Sequence, residues 1–200
     1  MLFPCLTVFI IFLLYLAYLR GKSSKESDER TRVFWEKENL SNQTRRQDIS
    51  NLDYIKVSLE ELPLGQCTTS YCKKLEGQIT DMATRPILNL NGLSNTDLKL
   101  KYGAANLPAL SEYDQSFTQL NTLLYQYGRE LHEQGFSAQA IQVLEYAISI
   151  HADMSKLFIL LGSIYQEAHN SAGIETLIQK TSYLSPLLKD ATVTQLKTFL

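Results

Sequence analysis

The chain has 200 residues, 44% of them hydrophobic and 20% charged, the composition of a folded protein with room for one ordinary domain or a small domain and a linker. Its formal net charge of −2 gives no global electrostatic reason to expect nucleic acid or another polyanion as a partner. Three cysteines, one of them inside an apolar N-terminal run, do not make the dense disulfide framework of a small secreted domain.

Leu2 to Leu19, LFPCLTVFIIFLLYLAYL, carries no charge. As a helix it would extend roughly 27 Å, close to the ~30 Å hydrocarbon core of a bilayer, and it predicts a transmembrane anchor over residues 1–20. Pro4 falls where a first helical turn tolerates it, and Tyr15 and Tyr18 fall toward the far interface. No lysine or arginine precedes the run and no A-x-A-like site follows it, so a retained anchor is favoured over a cleaved signal. Arg20, Lys22, Lys25, Arg30 and Arg32 all follow the span, and the positive-inside rule then puts the rest of this single-pass chain on the cytoplasmic side of the plasma membrane. On that side the sequons at Asn39 and Asn42 are coincidences.

Residues 21–60 read as a polar stalk and connector, with Phe34 and Trp35 docking on the domain or resting at the membrane surface. Ile49 to Leu59 alternates like a strand but has no second strand nearby, so an extended connector packed on helices is expected. In SLEELPLG, Ser58 resembles an N-cap, and Pro63 and Gly65 stop any helix within about a turn and a half. Residues 61–106 therefore predict short helices and loops. Cys67 and Cys72 in CTTSYC fit neither the CxxC redox spacing nor a repeated zinc pattern, and His132, His151 and His169 lie far away in sequence. Free thiols are expected there, with a bridge as the alternative. In LNGLSNTDLKLKYG, Ser94 or Asn95 can cap a short helix that carries Asp97 in its first turn and ends at Gly103.

From residue 107 onward the apolar spacing is helical. Gly128, in LLYQYGREL, and Gly162, in FILLGSIYQE, lie 34 residues apart, and a helical hairpin cannot bury its apolar face without a stacked neighbour. The stretch resembles the tetratricopeptide family over about residues 121–200. Its first unit, about 121–154, matches at Leu124, Gly128, Leu131, Gly135, Ala140, Leu144 and Ala147. The second, about 155–188, matches at Phe158, Leu161, Gly162, Tyr165, Ile178, Leu184 and the repeat-ending Pro186, but has Ile174 and Thr181 where the family prefers alanine. Larger side chains at such contacts push helix axes apart, so a looser or rotated second hairpin is expected. A capping helix over 189–200 and a cover from Leu107 to Phe117, with Pro108 near its start, would close the stack. The fold expected is all-α: a transmembrane helix, a linker and a short solenoid over 107–200.

The resemblance implies a concave groove lined by first helices, with Tyr125, Arg129, His132, Lys156, Ile159, Ser163 and Gln166 facing it and Gly128, Ala140, Ala147, Gly162, Tyr165 and Pro186 packing the repeats. Arg129 and Lys156 could hold an acidic group, and Tyr125 could pack an aromatic or apolar one. No asparagine accompanies the basic residues, so the carboxylate clamp of some family members is not implied. No nucleophile elbow, P-loop, H-E-x-x-H or dinucleotide fingerprint occurs, and neither catalysis nor a cofactor is expected. The expectation is a membrane-anchored interaction module for a peptide or partner helix. The alternatives are a self-associating subunit, homodimeric through the groove, and an extracytoplasmic envelope protein with a Cys67–Cys72 bridge. The overall plan of one span, FWE stalk, DISNLDYI connector and two-repeat C-terminus is also similar to uncharacterised single-pass membrane proteins of anaerobic Gram-positive bacteria, a likeness that carries no activity with it.

Overall fold

Helix formation begins at Leu2 and runs unbroken to Gln43 (α1), past the point where the sequence pattern separates anchor from stalk. The computed structural model describes residues 2–200, and the side chains of residues 2–7, 17 and 21–26 lie outside the description. The predicted span therefore falls partly outside the described residues. Among those described, no helix is long and apolar enough to cross a membrane. The described apolar residues of its second part, from Val8 to Leu16 with Tyr18 and Leu19, are all exposed.

The remaining helices are α2 (Ser70–Met82), α3 (Asn95–Tyr102), α4 (Leu107–Glu133), α5 (Ser137–Ser149), α6 (Ser155–Glu167), α7 (Ser171–Lys180) and α8 (Pro186–Leu196). Among the described residues there is no strand, and the class is all-α. The chain divides into two units, Met1–Ile49 with Gly92–Pro108 and Ser50–Asn91 with Ala109–Leu200. Each unit is built from segments far apart in sequence, and the block 61–106 is shared between the two.

In the first unit α3 packs on the C-terminal part of α1. Ser94 opens α3 with a capping box: its hydroxyl accepts from Asp97 N at 3.2 Å, and Asp97 Oδ2 accepts from Ser94 N at 3.2 Å. Lys37 Nζ reaches Asp97 Oδ1 at 2.7 Å. Lys99, almost fully buried, donates to Glu38 and, at 2.8 Å, to Asn42 Oδ1, while Thr96 donates to Glu38 Oε2 at 2.8 Å. A lysine so buried requires a carboxylate partner, and this pairing supplies it. Asn106, also buried, donates to the carbonyls of Gln47 and Tyr102, both at 2.7 Å, and accepts from Arg46 Nε at 3.1 Å. Gly103 ends α3 at φ 88°, and a Cβ there would stand 2.4 Å from the Arg45 carbonyl oxygen.

The second unit has one core, drawn from α2, α4, α5, α6, α7 and α8 and from the connector that runs through Ile55, Val57 and Leu62. The connector is extended, as expected, and is tied by Ile55 N to the Ile87 carbonyl at 2.9 Å. Ser58 makes no side-chain cap, contrary to its N-cap-like context; only a 3-10 turn, Leu59–Glu61, forms there, and the Ser58 backbone N–H donates to Tyr146 Oη at 3.0 Å.

The helix that covers the first hairpin is α2. Its residues Cys72, Leu75, Ile79 and Met82 are buried, and Tyr127 of α4 donates to Glu76 Oε1 at 2.9 Å and to the Pro63 carbonyl at 2.8 Å. The cover expected from Leu107 to Phe117 does not exist as a separate helix. Nothing between those residues and Asn121 breaks the helical pattern, so they lengthen α4 instead. Pro186 likewise starts α8 at its first turn, where the missing N–H costs nothing, and the capping helix begins there rather than at 189.

Candidate functional site

The two C-terminal hairpins are related residue by residue at the 34-residue spacing. Gly135 ends α4 at φ 87°, and His169 ends α6 at φ 54°. In the first turn Phe136 N bonds the Leu131 carbonyl at 2.8 Å, and in the second Asn170 N bonds the Tyr165 carbonyl at 2.8 Å. These are the same helix-ending bond with a left-handed residue at its corner. Burial repeats likewise: Leu124 and Phe158, Tyr127 and Leu161, Gly128 and Gly162, Leu131 and Tyr165, Ala140 and Ile174, Val143 and Leu177, and Ala147 and Thr181 are buried in pairs.

The glycines serve different neighbours. A Cβ on Gly128 would meet Leu144 of α5 at 2.9 Å, inside its own hairpin. A Cβ on Gly162 would meet Leu196 of α8 at 2.5 Å and Phe199 at 3.0 Å, so this glycine admits the helix that follows the hairpin. Thr192 of α8 also donates to Ser155 Oγ of α6 at 2.9 Å. Ile174 and Thr181, in the places of Ala140 and Ala147, are accommodated with full burial.

The predicted groove residues lie along α4 and α6. Tyr125 and Ile159 are half-buried at equivalent places, while Arg129, Lys156 and Gln166 are exposed. His132 sits between hairpins: its Nδ1 is 3.0 Å from Ser137 Oγ of α5 and its Nε2 is 3.5 Å from Glu167 Oε2 of α6. Arg129 is not idle, because its guanidinium lies 6.0 Å from the Tyr125 ring centroid and its Nε 3.4 Å from Glu133 Oε1. The Ser163 hydroxyl turns back to the Leu160 carbonyl at 2.8 Å, as serines in helices commonly do, which occupies its donor.

Two features stand apart from the main expectation from sequence: a bridge, which is the alternative to free thiols, and a cleft. Cys67 and Cys72 form a disulfide, with Cα atoms 5.4 Å apart, where free thiols are the expectation from spacing alone. The physical reason is the cap of α2: Thr69 Oγ1 accepts from Cys72 N at 3.1 Å, and the turn it closes brings Cys67 back over the first turn of the helix. The loop between the cysteines is held to α4 by Thr69 Oγ1 donating to Glu130 Oε1 at 2.9 Å, and to the turn after it by Thr68 Oγ1 donating to Gln134 Oε1 at 2.6 Å. A cap residue followed by a helix was the available signal.

The second is a cleft of about 300 Å³ between α5, α6 and α7, walled by Glu145, Tyr165, Gly173, Thr176 and Lys180 over Leu161. Tyr165 donates to Glu145 Oε1 at 2.5 Å, and burial, with that carboxylate beside it, holds its phenol well above the usual range. Among the described residues no group of histidine, cysteine, aspartate or glutamate is arranged to hold a metal ion. Comparison of the chain with protein-family models, with curated proteins and with solved structures finds no match.

Proposed function

We propose that the chain is a membrane-tethered interaction module, without catalysis, that receives a peptide or partner helix on a tetratricopeptide-like groove along α4 and α6. The observation that carries this reading is the 34-residue register of burial and of helix-ending turns, with His132 and Glu167 bridging α4 and α6. Residues in one register on successive first helices share a surface, and a surface floored by Tyr125 and Ile159 and rimmed by Arg129 and Lys156 suits a ligand with apolar and acidic groups. The tether is supported by the uninterrupted run of exposed apolar side chains from Val8 to Leu16, which covers every face of a helix and so fits lipid on all sides better than a one-sided surface contact. A tether of this kind raises the effective concentration of the groove for membrane-bound partners.

The test is cross-linking of the full chain in membranes, comparing the parent with Arg129→Glu plus Lys156→Glu. Loss of the cross-linked partner with an unchanged circular-dichroism melt is expected. Retention of the same partner would place its binding elsewhere.

A second reading has its own observation. The Cys67–Cys72 disulfide favours an oxidising compartment, and so an envelope protein facing outward, against the cytoplasmic orientation expected from Arg20 to Arg32. Reporters fused at Leu200, one active only in the cytoplasm and one only outside, separate the two. An outward signal establishes the envelope reading, and a cytoplasmic one removes it.

A further inference from the structure

Between the apolar run and the first unit's packing, the described side chains of α1 face solvent. The described residues from 27 to 36 are exposed on every side; contact with α3 begins at Lys37, whose ammonium pairs with Asp97, and burial begins at Glu38 and Ser41. A helix without a packed face persists in water when charges along it pair one turn apart. This sequence has that pattern: opposite charges stand four apart at Lys22 and Glu26, Lys25 and Glu29, Glu26 and Arg30, Asp28 and Arg32, and Arg32 and Glu36. Among the described side chains Arg32 realises it both ways, reaching Glu29 at 2.6 Å and Glu36 at 3.7 Å. No proline follows Pro4 until Pro63, so nothing in the segment forces a kink.

We propose that residues 20–36 are a charged helix acting as a rigid spacer, which holds the α1–α3 unit at a set height above the bilayer. The height rests on the membrane reading given above, whereas the stiffness of the helix does not. At about 1.5 Å per residue, Glu38 stands roughly 28 Å beyond Leu19 along the axis. Phe34 and Trp35, whose rings meet edge to face at 5.3 Å, then stand roughly 23 Å out, beyond the ~6 Å headgroup layer. An upright spacer of this kind removes the aromatic pair from the membrane surface and limits partners of the first unit to groups presented at that distance.

The experiment uses the full chain in phosphatidylcholine–phosphatidylglycerol bilayer discs, with spin labels at Arg20→Cys and Asn39→Cys in a Cys5→Ser background. One narrow distance near 28 Å is expected from the helical rise, and Ser27→Pro is expected at least to double its width. A broad distribution in the parent overturns the spacer, and so does a width unchanged by the proline. Alkaline carbonate extraction from vesicles is run in parallel: retention supports the height, and release with the distance still narrow overturns the height while the stiff helix stands.

Discussion

His169 takes a left-handed conformation that glycine holds at the equivalent turn of the first hairpin, and a β-carbon there costs about 1 kcal/mol. His169→Gly is therefore expected to raise the thermal midpoint by a few degrees, measured by circular dichroism; an unchanged or lower midpoint would show that the imidazole contributes more than the strain removes. The opposite substitution is severe at Gly103. Its φ of 88° and the Arg45 carbonyl only 2.4 Å from any Cβ leave no flexible neighbour to yield. Gly103→Ala should cost about 3 kcal/mol or more and detach α3 from its place, seen as loss of hydrogen-exchange protection over residues 95–102. Both glycine positions were legible as helix ends. That Gly103 also meets backbone from Arg45 was not, because the two are far apart in sequence.

Among the elements, α8 depends on a gap. Gly162→Ala places a methyl 2.5 Å from Leu196 Cδ2, and the end of a leucine can move, so a loss of about 1–3 kcal/mol is expected. Leu196→Ala combined with it should cost less than the sum of the two single changes, since both act on one contact. Additivity would mean that α8 is seated by other residues. The pairing of α1 with α3 is a matter of charge. Lys37 and the Ser94 cap lower the Asp97 carboxyl from 3.8 to about 2, and Lys99 with Thr96 lowers that of Glu38 from its usual 4.5. The folded unit thus binds fewer protons than the unfolded chain at acid pH, so this stabilisation is complete above about pH 5 and is lost as pH falls toward 2. Melts of the full chain from pH 5 to 2 should fall more steeply for the parent than for Asp97→Asn. Parallel curves would show that the ion pair is screened away.

For the molecule as a whole, the disulfide bears on strength. A loop of five or six residues closed by a bridge contributes about 2 kcal/mol on the chain-entropy model. Cys67→Ser with Cys72→Ser is expected to lower the melt of the second unit by about that amount, and dithiothreitol to do the same to the parent and nothing to the variant. Equal melts with and without reductant in the parent would mean that the bridge does not form in the purified chain. In a Cys5→Ser background, alkylation of thiols in denaturant at the moment of lysis reads the redox state of the buried pair: two unreactive cysteines fit an oxidising face, and two reactive ones the cytoplasm.

What the sequence by itself determined is local. The all-α class, the α3 cap at Ser94, the extended connector and the 34-residue register from Gly128 to Gly162 follow from periodicity, caps and glycines, which act over one or two turns. The tertiary structure decided what depends on distant chain segments meeting: α2 as the cover of the first hairpin, the burial of Lys99 against Glu38, the division into two interleaved units, and Gly162 opening toward α8. It also decided the state of Cys67 and Cys72, because spacing alone leaves two thiols free to point anywhere, whereas the Thr69 cap turns the chain and brings them within bonding distance.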